Sequence, residues 1–431
     1  GRWSMLGRAL AVIMVVTSAA SILGMSAGGQ IFADAGLGLR LSAPVLVFAF
    51  LVILPAALRA DEAYVPRTTL LLAASLILVT ALSAANSVAS GAISWARVPV
   101  DLGAVLLFAL ALTLGAAVGA RTTADSTVSS LLAFMLPLAV LQGVFRVPLI
   151  PLFALTVPMV ALLLRAARAQ RSFVWSMTAL TLVAMELVYY RAGSDTFLYQ
   201  AAAISGMAAY WFLGRLPRPL DGFARIGMLG LALVVVATSP LPALLTGDYS
   251  GRDISLAQRS FEVARVLAEA EDGGPTVLVF GQGPGSTVDL SGSPDARTIA
   301  ASGRMLQSVP AVHIVLAQIF FKFGILGVLW LLFLLMVTTR LIARAYRRRD
   351  HGAVIVSGFV VAGLVDSFAA GNHLFSNPLP PLLLGLLMVL DARTNDAARQ
   401  PDNAMSLAVV TAAFAAGERS SGRPVAVARE R

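Results

Sequence analysis

Guanidinium groups and a single imidazole gather where apolar runs of this chain give way to hydrophilic sequence. Arg191 ends one such run in Tyr190-Arg191-Ala192-Gly193-Ser194-Asp195. Arg252 and Arg259 stand seven residues apart in a later hydrophilic stretch, which puts them on one face if that stretch is helical. His313 lies where the same stretch returns to apolar sequence. Arginines without matching carboxylates suit a doubly charged phosphate ligand, because the guanidinium fork meets phosphate oxygens two at a time. A neutral imidazole near pH 7 is a good proton acceptor, although a histidine at such a boundary is as often a packed residue. Glu262 follows Arg259 at i+3 and could pair with it or with Arg265. Glu186 and Asp366 read as counter-ions to Arg191.

Between these residues comes the glycine-rich stretch Gly281-Gln282-Gly283-Pro284-Gly285-Ser286, after the short β-rich run 276–280, which reads as an extended segment entering a tight turn. The turn lacks the Gly-Lys-Ser/Thr of a nucleotide P-loop. It either offers free backbone N–H groups to an anion or a sugar, or is a plain turn. A hard-cation site would need clustered carboxylates, whereas Asp248, Asp253, Asp272, Asp289 and Asp295 are scattered. No Ser–His–Asp triad stands out. With no cysteine there is neither a disulfide framework nor a thiolate metal site. What remains is metal-free chemistry driven by arginines.

The elements that hold these residues must be membrane helices. The chain is 58% hydrophobic and 13% charged, where a soluble domain carries about 25% charged residues. An all-α polytopic membrane protein follows. About twelve spans of roughly 20 apolar residues can be placed, at 10–28, 41–58, 68–85, 100–118, 128–142, 147–164, 173–190, 196–213, 223–245, 311–342, 353–370 and 378–390. The fifth and the last are short, consistent with tilted or partly re-entrant segments. The first carries no cleavage site and reads as a retained span. Domains follow: spans one to nine over 1–245, a large hydrophilic loop over 246–310, spans ten to twelve over 311–391, and a polar, alanine-rich tail over 392–431 that reads as disordered.

The net charge of +9 is distributed by topology and gives no reason to expect nucleic acid. Alternate loops carry Arg59 and Arg67; Arg121; Arg165, Arg168 and Arg171; Arg215, Arg218 and Arg225; then Arg340, Arg344, Arg347, Arg348 and Arg349. The opposite loops carry Arg40, Arg97, Arg146 and Arg191 singly. Positive-inside bias then places both termini in the cytoplasm, and the 246–310 loop and the 371–377 turn outside. Residues 254–270 carry a helical apolar pattern within that loop. Lys322 is the only lysine, which reads as a coding bias toward arginine.

This layout, with Arg259-Ser260-Phe261-Glu262, Gly281-Gln282-Gly283-Pro284-Gly285, His313, Lys322-Phe323-Gly324 and the arginine segment around Arg191, resembles the O-antigen ligase and polymerase superfamily. The resemblance covers residues from about Phe173 to Trp330. It implies a metal-independent, inverting glycosyltransferase of the bacterial inner membrane, with no cofactor. Its donor would be a polyprenyl-diphosphate-linked glycan and its acceptor a hydroxyl on a glycan, lipid or protein, with a chain-length regulator protein as an open partner. Arg191 and Arg259 would hold the diphosphate, with Arg252 as a third cation, and His313 would act as the general base or orient the acceptor hydroxyl. Glu262, Gly283, Gly285 and Lys322 would support them. The alternatives are a transporter of lipid-linked oligosaccharide and a peptidoglycan polymerase using Asp253 or Asp289.

Overall fold

A computed structural model describes residues 8–13, 15–16, 35–59, 65–91, 94–120, 122, 254–290, 308–309, 312, 314–348, 353, 356–361, 364, 374–375 and 377–393. They form a helical bundle with a small cap at one end. The helices are α1 (Ala35–Leu58), α2 (Arg67–Ser90), α3 (Val98–Gly119), α4 (Ile254–Asp272), α5 (Gly274–Phe280), α6 (Val315–Arg348) and α7 (379–393). Between α5 and α6, β1 (Val288–Asp289) pairs antiparallel with β2 (Ser308–Val309).

Three of these helices, Arg67–Ser90, Val98–Gly119 and Val315–Ala345, are long and apolar enough to cross a membrane, and Ala43–Leu58 is a shorter apolar helix. The chain is therefore a membrane protein. Large apolar side chains such as Phe48, Val52, Leu71, Leu78, Leu329 and Leu332 point outward, while Phe50, Leu76, Phe108, Leu112 and Leu334 fill one continuous core. Helices that are apolar on both sides fit a lipid solvent. The expected spans between 128 and 245 lie outside the described residues, as does the tail from residue 394. Residues 10–13 and 356–361 are helical as expected.

Close contacts fix the direction of each helix. Pro44, early in α1, lies against Gly103, early in α3. Gly115 and Gly119, late in α3, lie against Leu382 and Leu386 of α7, backbone to backbone at Gly115. Thr69, at the start of α2, donates a hydrogen bond to Met388 Sδ at 3.0 Å. Arg344 and Arg348, late in α6, each reach Asp391 at 2.9 Å. One end of the bundle therefore collects Arg59, Arg67, Arg344, Arg348 and Arg393, and the cap sits at the other. That matches the charge alternation read from the loops.

One expectation is corrected here. Residues 276–280 are not extended but belong to α5. Pro275 sits in its first turn with φ preset for a helix, and the helix stops at Gly281, whose N–H donates to Val277 O at 2.7 Å. Among the described residues no strand lies beside this five-residue β-rich run to pair with it, and local helix satisfies its backbone. Where it is described, the 371–377 turn is packed into the bundle. Leu374 and Asn377 are buried, and the Phe375 ring packs on Phe108 and Trp330 at 5.8 Å and on Phe323 at 5.9 Å, spacings typical of aromatic clusters. Phe108 is ten residues into α3, about 15 Å along its axis at 1.5 Å per residue. The chain thus dips to mid-bundle before α7 begins, and Asn377 Oδ1 caps that start by accepting the Leu379 N–H at 3.1 Å. The shortness of the last span has this origin.

Candidate functional site

The site is built where the cap enters the bundle. Helix α6 is broken at Gly324, whose φ of 60° and ψ of −154° are open in practice only to glycine. A break inside a span leaves backbone groups without helical partners, and lipid supplies none. The glycine turn supplies them. Gln282 N–H donates to Phe321 O at 2.7 Å and Gly283 N–H to Lys322 O at 3.0 Å. Ser83 Oγ of α2 also donates to Lys322 O, and Asn86 Nδ2 of α2 donates to Gly281 O at 2.9 Å. The approach is close on both sides: a Cβ on Gly281 would stand 2.4 Å from Lys322 C, and one on Gly324 would stand 2.4 Å from Val279 O. On Gly283 it would meet Ser87 Cβ of α2 at 2.5 Å.

The turn is consequently not a nest of free N–H groups for an anion. Gly281, Gln282, Gly283, Gly285 and Ser286 all donate within the protein, and Pro284 has no N–H to offer. Of the two readings of this stretch, its hydrogen bonds are those of a plain turn packed against the break in α6.

Lys322 reaches back under the turn. Its Nζ lies 2.7 Å from Asp101 Oδ2 in the first turn of α3, and 2.7 Å from Ser286 O. The same Asp101 oxygen accepts the Gly285 N–H at 2.8 Å. Lys322 is almost fully buried and the Asp101 side chain is 24% exposed. Removing two charges from water costs several kcal/mol per ion, offset only where hydrogen bonds complete the pair, as they do here. Lys322 is thus a specific structural cation. Sequence reading missed Asp101, Ser83, Asn86 and Ser87. The available signal was a carboxylate one residue inside an apolar span, which is expensive enough to demand a partner.

The cap has its own small core of Val266 from α4, Val288 from β1 with Leu290 just after it, Val312 just before α6, and Ala317 and Phe321 in the first turns of α6. Helix α4 spans the expected helical stretch. Its buried residues Glu262, Val266 and Ala270 recur every four residues. Arg265 binds Asp289 through its backbone carbonyl at 3.1 Å and its carboxylate at 3.9 Å, and lies 3.8 Å from Glu269. Glu269 Oε1 accepts the Asp289 N–H at 3.1 Å. Burial pushes the Glu269 carboxyl above its ordinary pKa, against the lowering effect of that hydrogen bond and of Arg265.

Of the residues expected to form the site, Lys322, Gly283 and Gly285 come together, and Glu262 is buried on α4 beside the cap core. Arg259 is a backbone position on α4, two turns before Val266. Arg191, Arg252 and His313 lie outside the described residues, although Val312 and Ile314, on either side of His313, belong to the cap core. No family model, curated protein or solved structure matches the chain.

Proposed function

We propose that the chain is a metal-independent membrane glycosyltransferase that moves a glycan from a polyprenyl-diphosphate carrier to an acceptor hydroxyl, as an O-antigen ligase or polymerase does. The observation that carries this is the cap core. Position 259 falls in helical register with Glu262 and Val266, and Val266 packs into the same cluster as Val312, next to His313. In this proposal the arginine of α4 and the histidine between Val312 and Ile314 act at the cap, at the end of the bundle opposite the arginine-rich one. On this reading His313 takes the proton from the acceptor hydroxyl as its oxygen attacks the anomeric carbon. The bond from that carbon to the diphosphate breaks with inversion, and Arg191 and Arg259, with Arg252 as a third cation, carry the departing charge. The bundle would be a bacterial inner-membrane protein with its arginine-rich end in the cytoplasm.

The broken α6 and the mid-bundle start of α7 favour a second reading, a lipid-linked oligosaccharide transporter, since discontinuous helices commonly form transport sites. At Gly324, however, the glycine turn occupies the freed carbonyls that a transported ligand would use. The two readings separate in liposomes holding the purified protein and a polyprenyl-diphosphate-linked donor. Glycan transfer to a hydroxyl acceptor supports the enzyme; donor movement across the bilayer without transfer supports the transporter.

A further inference from the structure

We propose that the cap end of α2 and α3 binds the phosphate group of a membrane lipid, with Arg97 as its cation and Ser87 as a hydroxyl donor. This site goes beyond the reaction proposed above and does not depend on it. Among the described residues, two buried side-chain donors have no hydrogen-bond partner, Arg97 Nη1 and Ser87 Oγ. Both belong to one corner of the fold. Ser87 of α2 is fully buried against Gly283, where a Cβ would stand 3.1 Å from its Oγ. Ser94 and Val98 pack against Gly285, two residues along the same turn and so no more than about 7 Å from Gly283. The N–H groups of Arg97 and Val98 both donate to Ser94 O, at 2.9 and 3.3 Å, so this stretch already coils as a helix. Ser94, Arg97, Val98 and Asp101 then fall at i, i+3, i+4 and i+7 along one face.

The state of Ser87 is unlike that of its neighbours. Ser75, Thr80 and Ser90 of α2 each donate to a carbonyl three or four residues back, the ordinary outlet for a helical hydroxyl. Ser87 does not use it. The arginine is the more demanding of the two, because its charge is permanent and a buried N–H on it needs an acceptor. Asp101, one turn along the same face, gives its Oδ2 to Lys322 Nζ and the Gly285 N–H. That pair cancels in charge, and Arg97 leaves the corner net positive. A guanidinium beside a hydroxyl suits a phosphate oxyanion. Depth selects a lipid as its carrier. Trp95 is 68% exposed two residues before Arg97, and Val98–Gly119, long and apolar enough to cross a membrane, starts one residue after it. An exposed tryptophan at the end of such a helix marks the headgroup level.

The chain has no cysteine, so Ala96→Cys, exposed beside Arg97, carries a single NBD fluorophore. The full-length protein in maltoside micelles is titrated with phosphatidic acid bearing a nitroxide quencher near the head of one acyl chain, and with diacylglycerol of the same chains. Phosphatidic acid is expected to reach half-quenching at a mole fraction about tenfold lower. Arg97→Gln should abolish that preference, and Ser87→Ala should reduce it roughly fivefold. Arg340→Gln, at the arginine-rich end, should leave it unchanged. Equal quenching by the two lipids, or a preference that survives Arg97→Gln, overturns the proposal. Inorganic phosphate in large excess should not displace the lipid, and displacement would make the ligand a free anion and overturn the lipid assignment. If Arg97→Gln cannot be purified, Arg97→Lys keeps the charge and loses the fork. It should lose most of the preference, and full retention contradicts the site.

Discussion

At the scale of single residues, the ion pair between Lys322 and Asp101 sets the largest local cost. Removing one partner strands the other charge. Asp101→Ala should lose about 3–5 kcal/mol of stability, while Asp101→Asn, which keeps an acceptor for Gly285 N–H, should lose roughly 1–3 kcal/mol. Denaturant unfolding in micelles checks the order, and equal losses would mean that the charge is irrelevant. Glu269 makes a smaller, opposite contribution. Its carboxyl is held protonated to higher pH in the folded protein than in the unfolded chain, chiefly by burial. The folded state then binds more protons between the two pKa values, so its stability falls as pH rises upward from the ordinary carboxylate range. Glu269→Gln keeps an oxygen for the Asp289 N–H and should flatten that slope, by less than about 1 kcal/mol for a half-buried group. Thermal midpoints from pH 4 to pH 7 read this directly, and a parent slope of the opposite sign would contradict it.

At the scale of elements, the break in α6 and the glycine turn are one structure. A Cβ at Gly324 faces both a φ of 60° and a contact of 2.4 Å with Val279 O. Gly274 has a similar φ of 71° but nothing within 4 Å. Gly274→Ala should therefore cost only backbone strain, about 1 kcal/mol, and Gly324→Ala clearly more. Equal midpoints for the two variants would show that the turn yields easily. The sequence displayed these elements unevenly. The spans at 68–85 and 100–118 were legible because apolar runs of that length have one solution in lipid, and the amphipathic α4 was legible from its period. The helix at 274–280 was not, because its β-branched residues are outvoted by Pro275 and by packing against α6. The depth of Phe375 was not legible either, since nothing local separates an aromatic residue in a surface turn from one that fills a gap among Phe108, Phe323 and Trp330. The partner of Lys322 lies 221 positions away, and only the expense of a carboxylate in an apolar run hinted at it.

At the scale of the whole molecule, a bundle with a strongly basic end carries at its other end a cap that is bonded into it. From residue 274 to 290 this cap is part of the bundle's hydrogen bonding and is not a lid resting on it. The proposed chemistry assigns its roles to Arg259 and His313, on either side of that stretch in sequence. Glycan transfer by the purified protein from a polyprenyl-diphosphate-linked donor, in the presence of EDTA, tests that chemistry most directly. The unaltered protein is expected to transfer glycan despite chelation, with activity falling at least a hundredfold in both Arg259→Ala and His313→Ala while both variants remain folded. Undiminished transfer by either variant, or donor movement across the bilayer with no transfer at all, would contradict the account.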